Sequence, residues 1–373
     1  MKKILFFIHD LGQGGAEKVL VNLVNNMNPE KFDITVMSLL GGGVNEQFLK
    51  KEIKYKTGFS KSFPGNSHLM KLYTPEQLHG FFIKEKYDIE VSYLEGPSAR
   101  IISGCPDKDT KLVSWIHVEQ HTKQCAAGAF RSYKESVTCY QKFNKTICVS
   151  EAVKDDFMSL YPEISDVQVL YNVNETDEIL KLKDEPVEEG IFKEGEIRLC
   201  GMGKIMPNKG FDKLARIHKR LRDDGYPVHS YVLGNGPDKE KIEKYLLEYG
   251  LKDSFTFLGY QTNPYKYLGK CDLFACTSVA EGFSTAATEA VILGVPVVTT
   301  PVAGMKELLG ANNEYGIISE QCEESIYENM KKLLEDSELL KKYEKCAFTR
   351  GKDFRKDVTV QVIEKMLFDL YEE

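Results

Sequence analysis

The sequence predicts an α/β protein built as two doubly wound domains, each a parallel sheet wrapped by helices. Three observations carry this. Short apolar runs recur along the chain: Ile4 to Ile8, Asp33 to Leu40, Ile89 to Tyr93 and Lys111 to Ile116, then Val228 to Leu233 and Cys271 to Cys276. Runs of this length and composition suit strands buried on both faces. Several of them leave through glycine or a small polar turn into a segment of helical periodicity. Finally, the acidic stretch Asp184 to Glu196, with Pro186, Gly190 and Gly195, interrupts the alternation and reads as a linker, after which the pattern starts again at Ile197. The domains are therefore expected at 1–184 and 185–354.

Composition narrows the function. The chain has 373 residues, 42% hydrophobic and 28% charged, with a formal net charge of −7. It is long enough for two separate cores. The acidic balance argues against a nucleic-acid binder. No run of about 18 apolar residues offers a membrane span. Met1-Lys-Lys-Ile-Leu-Phe-Phe-Ile-His9 begins like a signal peptide but lacks a long apolar region and a cleavage site, so it reads as a first buried strand. Nine scattered cysteines without a C-x-x-C pair point to reduced thiols and a cytoplasmic location.

Taken in order, the first strand leads into Asp10-Leu-Gly12-Gln-Gly14-Gly15-Ala16-Glu17 and a helix carrying Val19, Leu20, Leu23 and Val24. Strand, glycine turn and helix form a phosphate-loop layout, or a tight turn alone. As a dinucleotide fingerprint the turn is poor. Glu17 stands where the third glycine belongs, and the second strand ends without a ribose-reading acid. Between residues 50 and 73, Lys50, Lys51, Lys54, Lys56, Lys61 and Lys71 interleave with Phe59, Phe63, Leu69, Met70 and Tyr73, against Glu52 alone. Such a basic, aromatic stretch suits anionic lipid headgroups or a diphosphate-linked acceptor. A solvated lysine-rich edge is the plainer reading. The strand Lys111 to Ile116 ends in His117-Val-Glu119-Gln-His121. A histidine there faces the ligand crevice of a parallel sheet, and it is as readily a core histidine. The order H-x-E-x-H, with no third ligand, argues against zinc at His117 and His121. Ser150 is a good N-cap for a helix from Glu151 to Leu160.

In the second half, Ile197 to Gly201 is followed by Gly203-Lys204-Ile-Met-Pro207-Asn-Lys209-Gly210 and a helix through Leu214, Ile217 and Leu221. Two lysines on a loop after a strand suit a diphosphate, although any surface loop can hold two. Val228 to Leu233 exits at Gly234-Asn-Gly236-Pro237, and Phe255 to Gly259 exits at Tyr260. The most informative stretch follows the strand Cys271 to Cys276. It is Glu281-Gly-Phe-Ser-Thr-Ala-Ala-Thr-Glu289, running on to Gly294-Val-Pro-Val. Gly282 breaks the strand, Ser284 caps a helix, and Gly294 ends it. The amides of Gly282, Phe283, Ser284 and Thr285 would point into one space, with Glu281 and Glu289 flanking it. That is an anion site with hydroxyl-reading carboxylates beside it. A lone E-x7-E is more often a solvated loop glutamate and an ordinary helix glutamate.

This stretch closely resembles the E-x7-E signature of retaining GT-B glycosyltransferases of family 4, as found in bacterial surface-polysaccharide assembly. Further elements extend the resemblance over nearly the whole chain, most strongly from 197 to 310. Lys209-Gly210 matches the family's K-G, and Gly234-Asn-Gly236-Pro237 its G-x-G-P turn. Lys204 stands where the family has arginine, which keeps the charge and loses the bidentate grip. Tyr171-Asn172-Val173-Asn174 has Val173 where glycine is usual.

The resemblance implies two Rossmann-like domains facing each other across a cleft, with the last helix, 355–373, returning to the first domain. It implies that Glu281 lies against the donor sugar and that Gly282, Phe283, Ser284 and Thr285 meet sugar and diphosphate. Glu289 would bind the ribose, Lys204 and Lys209 the diphosphate, and Tyr260 the base. In the first domain it implies Gly14 and Gly15 near the diphosphate and His117 near the sugar. The catalytic group is thus expected to be Glu281, His117 and Lys209. Asp107-Lys-Asp109 matches the D-x-D of metal-dependent glycosyltransferases but precedes its strand, so no obligatory metal or other cofactor is expected. The expected enzyme moves a hexose or related sugar with retention from a nucleoside diphosphate, UDP favoured, to a glycan acceptor that is lipid-linked. It would work on the inner face of the cell membrane, touching it through the Lys50–Lys71 region. The rival readings are a GT-B nucleotide-sugar epimerase, an NAD oxidoreductase and a non-catalytic nucleotide-sugar-binding partner subunit.

Overall fold

A computed structural model describes residues 1–60 and 70–372. These fall into two compact units, Met1–Val173 with Lys356–Glu373, and Asn174–Arg355.

The first unit holds the strands β1 (Lys2–Ile8), β2 (Phe32–Leu40), β3 (Lys54–Phe59), β4 (Ile89–Ser92), β5 (Lys111–Ile116), β6 (Lys145–Cys148) and β7 (Val167–Val169). They form one parallel sheet in the order β3-β2-β1-β4-β5-β6-β7. The chain winds outward from β1 to β3, then returns to β4 and winds the other way. The point of reversal lies between β1 and β4, where such sheets bind ligands beyond their C-terminal strand ends. Ile4 to Ile8 are fully buried, as expected of a central strand covered on both faces. On one face Leu5, Phe7, Leu39, Leu78, Phe82 and Ile101 form a core cluster. Each such side chain contributes roughly 1.5–3 kcal/mol on burial.

The lysine-rich stretch follows the plainer reading where it is described: Lys54–Phe59 is the edge strand β3. Lys54 pairs with Asp33 at 2.7 Å, Lys56 with Glu85 at 2.7 Å, and the Lys50 ammonium donates to Asn25 O at 2.7 Å. An edge strand exposes unpaired backbone groups, and charged side chains discourage another strand from docking there. Lys61, Phe63 and Leu69 lie outside the described residues. Beyond them, Arg100 and Arg131 grip the chain. The Arg100 guanidinium, 1% exposed, donates to Met70 O and Tyr73 O and pairs with Glu135 at 3.1 Å. Arg131 donates to Lys71 O and Leu72 O. Four successive carbonyls are thereby satisfied by two side chains.

The second unit holds β8 (Ile197–Met202), β9 (Val228–Leu233), β10 (Phe255–Gly259), β11 (Leu273–Cys276), β12 (Val297–Thr299) and β13 (Ile317–Ile318), parallel and ordered β10-β9-β8-β11-β12-β13. Its core gathers Leu199, Leu214, Ile217, Val232, Leu273, Ile326 and Met330. The boundary lies earlier than 184/185. Helix Thr176–Leu182 belongs with the second unit, where Asn263 donates to Leu182 O at 3.0 Å. The acidic stretch after it is tied to the same unit. Glu188 pairs with Lys266 at 2.9 Å, Glu196 with His229 at 3.0 Å, and the Tyr231 hydroxyl donates to Ile191 O and Glu196. It is a strap on the second domain and not a free linker. The last helix, Lys356–Glu372, groups with the first unit, where its Glu364 accepts from Asn28 N at 2.5 Å. No helix among the described residues is long and apolar enough to cross a membrane.

Candidate functional site

Because both sheets are parallel, every loop leaving a strand's C-terminal end emerges on the same edge. In the second unit these loops carry Lys204, Lys209, Tyr260, Glu281 and the start of helix Thr285–Leu293. They pack backbone against backbone. A Cβ at Gly210 would lie 2.1 Å from Thr277 O, one at Gly234 2.0 Å from Gly203 O, and one at Gly236 2.0 Å from Ile205 O. Gly210 also has φ of 64°, which disfavours any side chain. The loops are cross-linked as well. Thr277 Oγ1 donates to Gly210 O at 2.8 Å, Val279 N to Asn208 O at 2.8 Å, and Ile205 N to Asn235 O at 2.9 Å.

This scaffold brings Lys209 onto Glu281. The ammonium lies 2.7 Å from both carboxylate oxygens, and Ser278 Oγ donates to Oε1 at 2.7 Å. The Glu281 side chain is 10% exposed and that of Lys209 26%. The two side chains expected to serve sugar and diphosphate separately thus form one half-buried unit. Ser278 is not singled out by the sequence. Its position three residues before Glu281, on the same loop, is the available signal. Lys204 is exposed on the neighbouring loop and has no ion-pair partner among the described residues.

Helix Thr285–Leu293 begins as the sequence suggests. Ser284 accepts from Ala287 N at 3.3 Å, and Gly294 closes the helix with φ of 77°. The Ser284 hydroxyl is therefore committed to the cap. Phe283 is buried, its ring 6.2 Å from that of Phe354 and its edge against Gly304. Phe283 and Ser284 serve packing through their side chains, so a ligand would meet this segment through its backbone. Glu289 is 3% exposed and accepts from Tyr265 Oη at 3.3 Å. It is more enclosed than a ribose-reading carboxylate on a helix surface would be, and Tyr265 is a second residue that sequence reasoning misses. Tyr260 is half-buried at the exit of β10, its amide 3.2 Å from the Asn235 carboxamide.

The first unit carries its own group at the C-terminal edge of its sheet. Gly14 is the N-cap of helix Gly15–Asn26 and has no side chain to cap with. The Glu17 carboxylate folds back over it, to within 1.9 Å of where a Gly14 Cβ would stand. That places a negative group at the helix N-terminus, where it is favoured by the helix dipole. His117 follows β5, is buried, and donates its amide to Glu95 Oε2 at 2.9 Å. Its ring lies 4.9 Å from Tyr93, and its Nε2 has no hydrogen-bond partner among the described residues. Burial pushes the His117 imidazole down to about 3, so it is neutral, and burial pushes the Glu95 carboxyl up. Glu95 is a third residue the sequence does not flag. His121 pairs with Asp156 at 3.6 Å. Asp107 and Asp109 lie before β5, on the opposite edge of the sheet, with Lys86 at 2.7 and 3.9 Å.

The chain is similar to known proteins over most of its length. Residues 183–350 match the family described as glycosyl transferases group 1. An N-acetylgalactosamine-N,N'-diacetylbacillosaminyl-diphospho-undecaprenol 4-alpha-N-acetylgalactosaminyltransferase of Campylobacter jejuni is 27% identical, over 95% of this chain and 96% of its own. The lipopolysaccharide 1,6-galactosyltransferase of Salmonella typhimurium is 24% identical, over 81% and 82%. Among solved structures, Anabaena HepE in complex with UDP-glucose superposes with a TM-score of 0.79 at 19% identity, covering 99% of this chain and 100% of its own. Staphylococcus aureus TarM, solved with UDP among its ligands, gives 0.77 at 15% identity, covering 100% of both chains. The fold these structures share with the present chain is GT-B.

Proposed function

We propose that the chain is a glycosyltransferase of the group 1 family that moves a sugar from a UDP-sugar to a lipid-linked glycan with retention of configuration. The observation that carries this is the Lys209–Glu281–Ser278 unit beside the capped N-terminus of helix Thr285–Leu293. A cation and helix amides converge there with a carboxylate, the combination that a sugar diphosphate requires. The UDP complexes of HepE and TarM support the choice of nucleotide. The undecaprenol diphosphate in the name of the Campylobacter relative supports the class of acceptor.

The residues then divide the work. As the bond from the donor's anomeric carbon to phosphate breaks, negative charge collects on the leaving UDP. Lys209, Lys204 and the backbone from Gly282 to Thr285 stabilise that charge. The acceptor hydroxyl forms the new glycosidic bond on the same face, and its proton passes to the departing phosphate. No separate strong base is needed, and no metal enters the step. Glu281, oriented by Lys209 and Ser278, supports the sugar. Glu289 holds the ribose, with Tyr265 fixing its carboxylate, and Tyr260 contacts the base. The lipid acceptor brings the enzyme to the inner face of the membrane. Since Lys50, Lys54 and Lys56 have partners, Lys51 and Lys71 are the lysines to change to Glu. Unchanged sedimentation with anionic liposomes would remove these lysines from membrane contact.

The deciding experiment is a thermal-shift panel with UDP, GDP, ADP and NAD, each with and without EDTA, followed by NMR of the product's anomeric configuration. A ligand that binds the native state raises the midpoint. An EDTA-insensitive shift with UDP and an α-linked product from an α-linked donor support the proposal. A GDP-only shift changes the donor. An NAD-only shift or an inverted product overturns the reading.

A further inference from the structure

The first domain holds a second cluster of reactive side chains, none of which is used in sugar transfer. His79 lies on helix Pro75–Phe82, Glu90 on β4, and Cys105 just beyond helix Pro97–Ile102. One donor atom from each lies within 4.8 Å of the others. His79 Nε2 is 2.8 Å from Glu90 Oε2, and these residues are 5% and 1% exposed. Cys105 is half-buried and supplies the open side.

We propose that His79, Glu90 and Cys105 bind a divalent zinc-class cation that ties helix Pro75–Phe82, β4 and the segment after helix Pro97–Ile102 together. Imidazole nitrogen, thiolate sulfur and carboxylate oxygen form a mixed donor set. That set suits borderline-soft Zn2+, while Mg2+ and Ca2+ favour oxygen alone. Three protein ligands from three separate elements leave a fourth tetrahedral position, which a water fills from the exposed side of Cys105. The ligand set matches the charge of a divalent ion, with one negative charge from the Glu90 carboxylate, one from the Cys105 thiolate and none from the His79 imidazole. With the cation bound, the buried site carries no net charge. Glu90 pairs with His79 and with no Lys or Arg among the described residues. The cysteine is within reach of Asp107 O, 3.8 Å from Sγ, a thiol contact that a thiolate would give up. The role is structural: the site lies toward the start of β4, away from the C-terminal strand ends that carry the transfer residues.

The test uses the full chain. It is purified after growth with added zinc, its metal is counted by mass spectrometry, and the chelated protein is titrated with Co2+. The expected result is about one zinc per chain, a thiolate-to-cobalt absorption band, and a raised thermal midpoint on adding Zn2+ back. Cys105→Ser, at a half-buried position that tolerates the swap, should lose the band and the zinc while keeping sugar transfer. Glu90→Gln provides a second variant with the thiol intact, and its zinc affinity should fall by about tenfold or more. Zinc-free wild-type protein that ignores added Zn2+ would overturn the proposal. So would a cobalt band that persists in Cys105→Ser, because the metal would then be on other cysteines. Metal content, the cobalt band and the thermal midpoint do not depend on the identity of the sugar donor.

Discussion

At the scale of single residues, the Lys209–Glu281 pair makes the sharpest demands. Its charges are half-buried and the carboxylate also accepts from Ser278, so removing one partner leaves the other unbalanced. Glu281→Gln should lower kcat by about a hundredfold or more with little change in donor KM, because the work proposed for it is done in the transition state. Steady-state kinetics at saturating acceptor check this, and wild-type turnover would remove Glu281 from the site. Glu289→Ala should instead weaken UDP binding by about 1–3 kcal/mol, read by calorimetry, since it deletes the carboxylate proposed to accept from ribose hydroxyls. The pairing itself is not legible in the sequence. Lys209 and Glu281 are 72 residues apart, and only the adjacency of β8 and β11 brings their loops together. Each residue can be named from its local motif, while the unit they form, and the parts played by Ser278 and Tyr265, require the topology.

At the scale of elements, the local code is readable where one element decides its own fate. Ser150 and Ser284 cap the helices expected of them, accepting from Val153 N and Ala287 N. Ser150→Ala should cost about 1 kcal/mol in urea unfolding, with no effect on UDP affinity. The buried histidines make a second prediction. His218, 0% exposed, bridges Ser230 Oγ and Ser254 Oγ at 2.9 Å each, and burial pushes it down to about 3, as it does His117. The unfolded chain takes up these protons below about 6.5, while the native state does so only near 3. Stability is therefore lost as pH falls through that window, by up to about 1.4 kcal/mol per pH unit for each group. Unfolding midpoints at pH 7.5 and 5.5 should differ in that direction, and His218→Gln should flatten the slope. Strand β3 shows where element-scale reading fails. Its lysines mask the alternation of an edge strand, and the acids that balance them, Asp33 and Glu85, lie on other segments.

At the scale of the whole chain, the two cores are visible as two runs of buried strands, and the expected division between them is misplaced. Helix Thr176–Leu182 precedes the acidic stretch in sequence yet groups with the second domain. The strap from Asp184 to Glu196 is held by Lys266, His229 and Tyr231, partners far along the chain. Composition marks such a stretch as a linker because its charges are unpaired locally. Since the second core is self-contained, a fragment of residues 174–355 should fold alone, unfold in one cooperative step, and show the same UDP-induced shift as the full chain, without transfer activity. Failure to shift with UDP while folded would move the nucleotide out of this domain.

The glycine-to-carbonyl stacking at Gly210, Gly234 and Gly236 sets the terms on which this enzyme can acquire a new donor. Those positions admit no atom beyond hydrogen, so most substitutions there destroy the loops before they alter ligand preference. Variation that survives is channelled to neighbours whose side chains stand clear of the backbone stack, such as Lys204 and Tyr260. A library confined to those neighbours should therefore return folded variants with changed donor preference far more often than one spread evenly over the same loops.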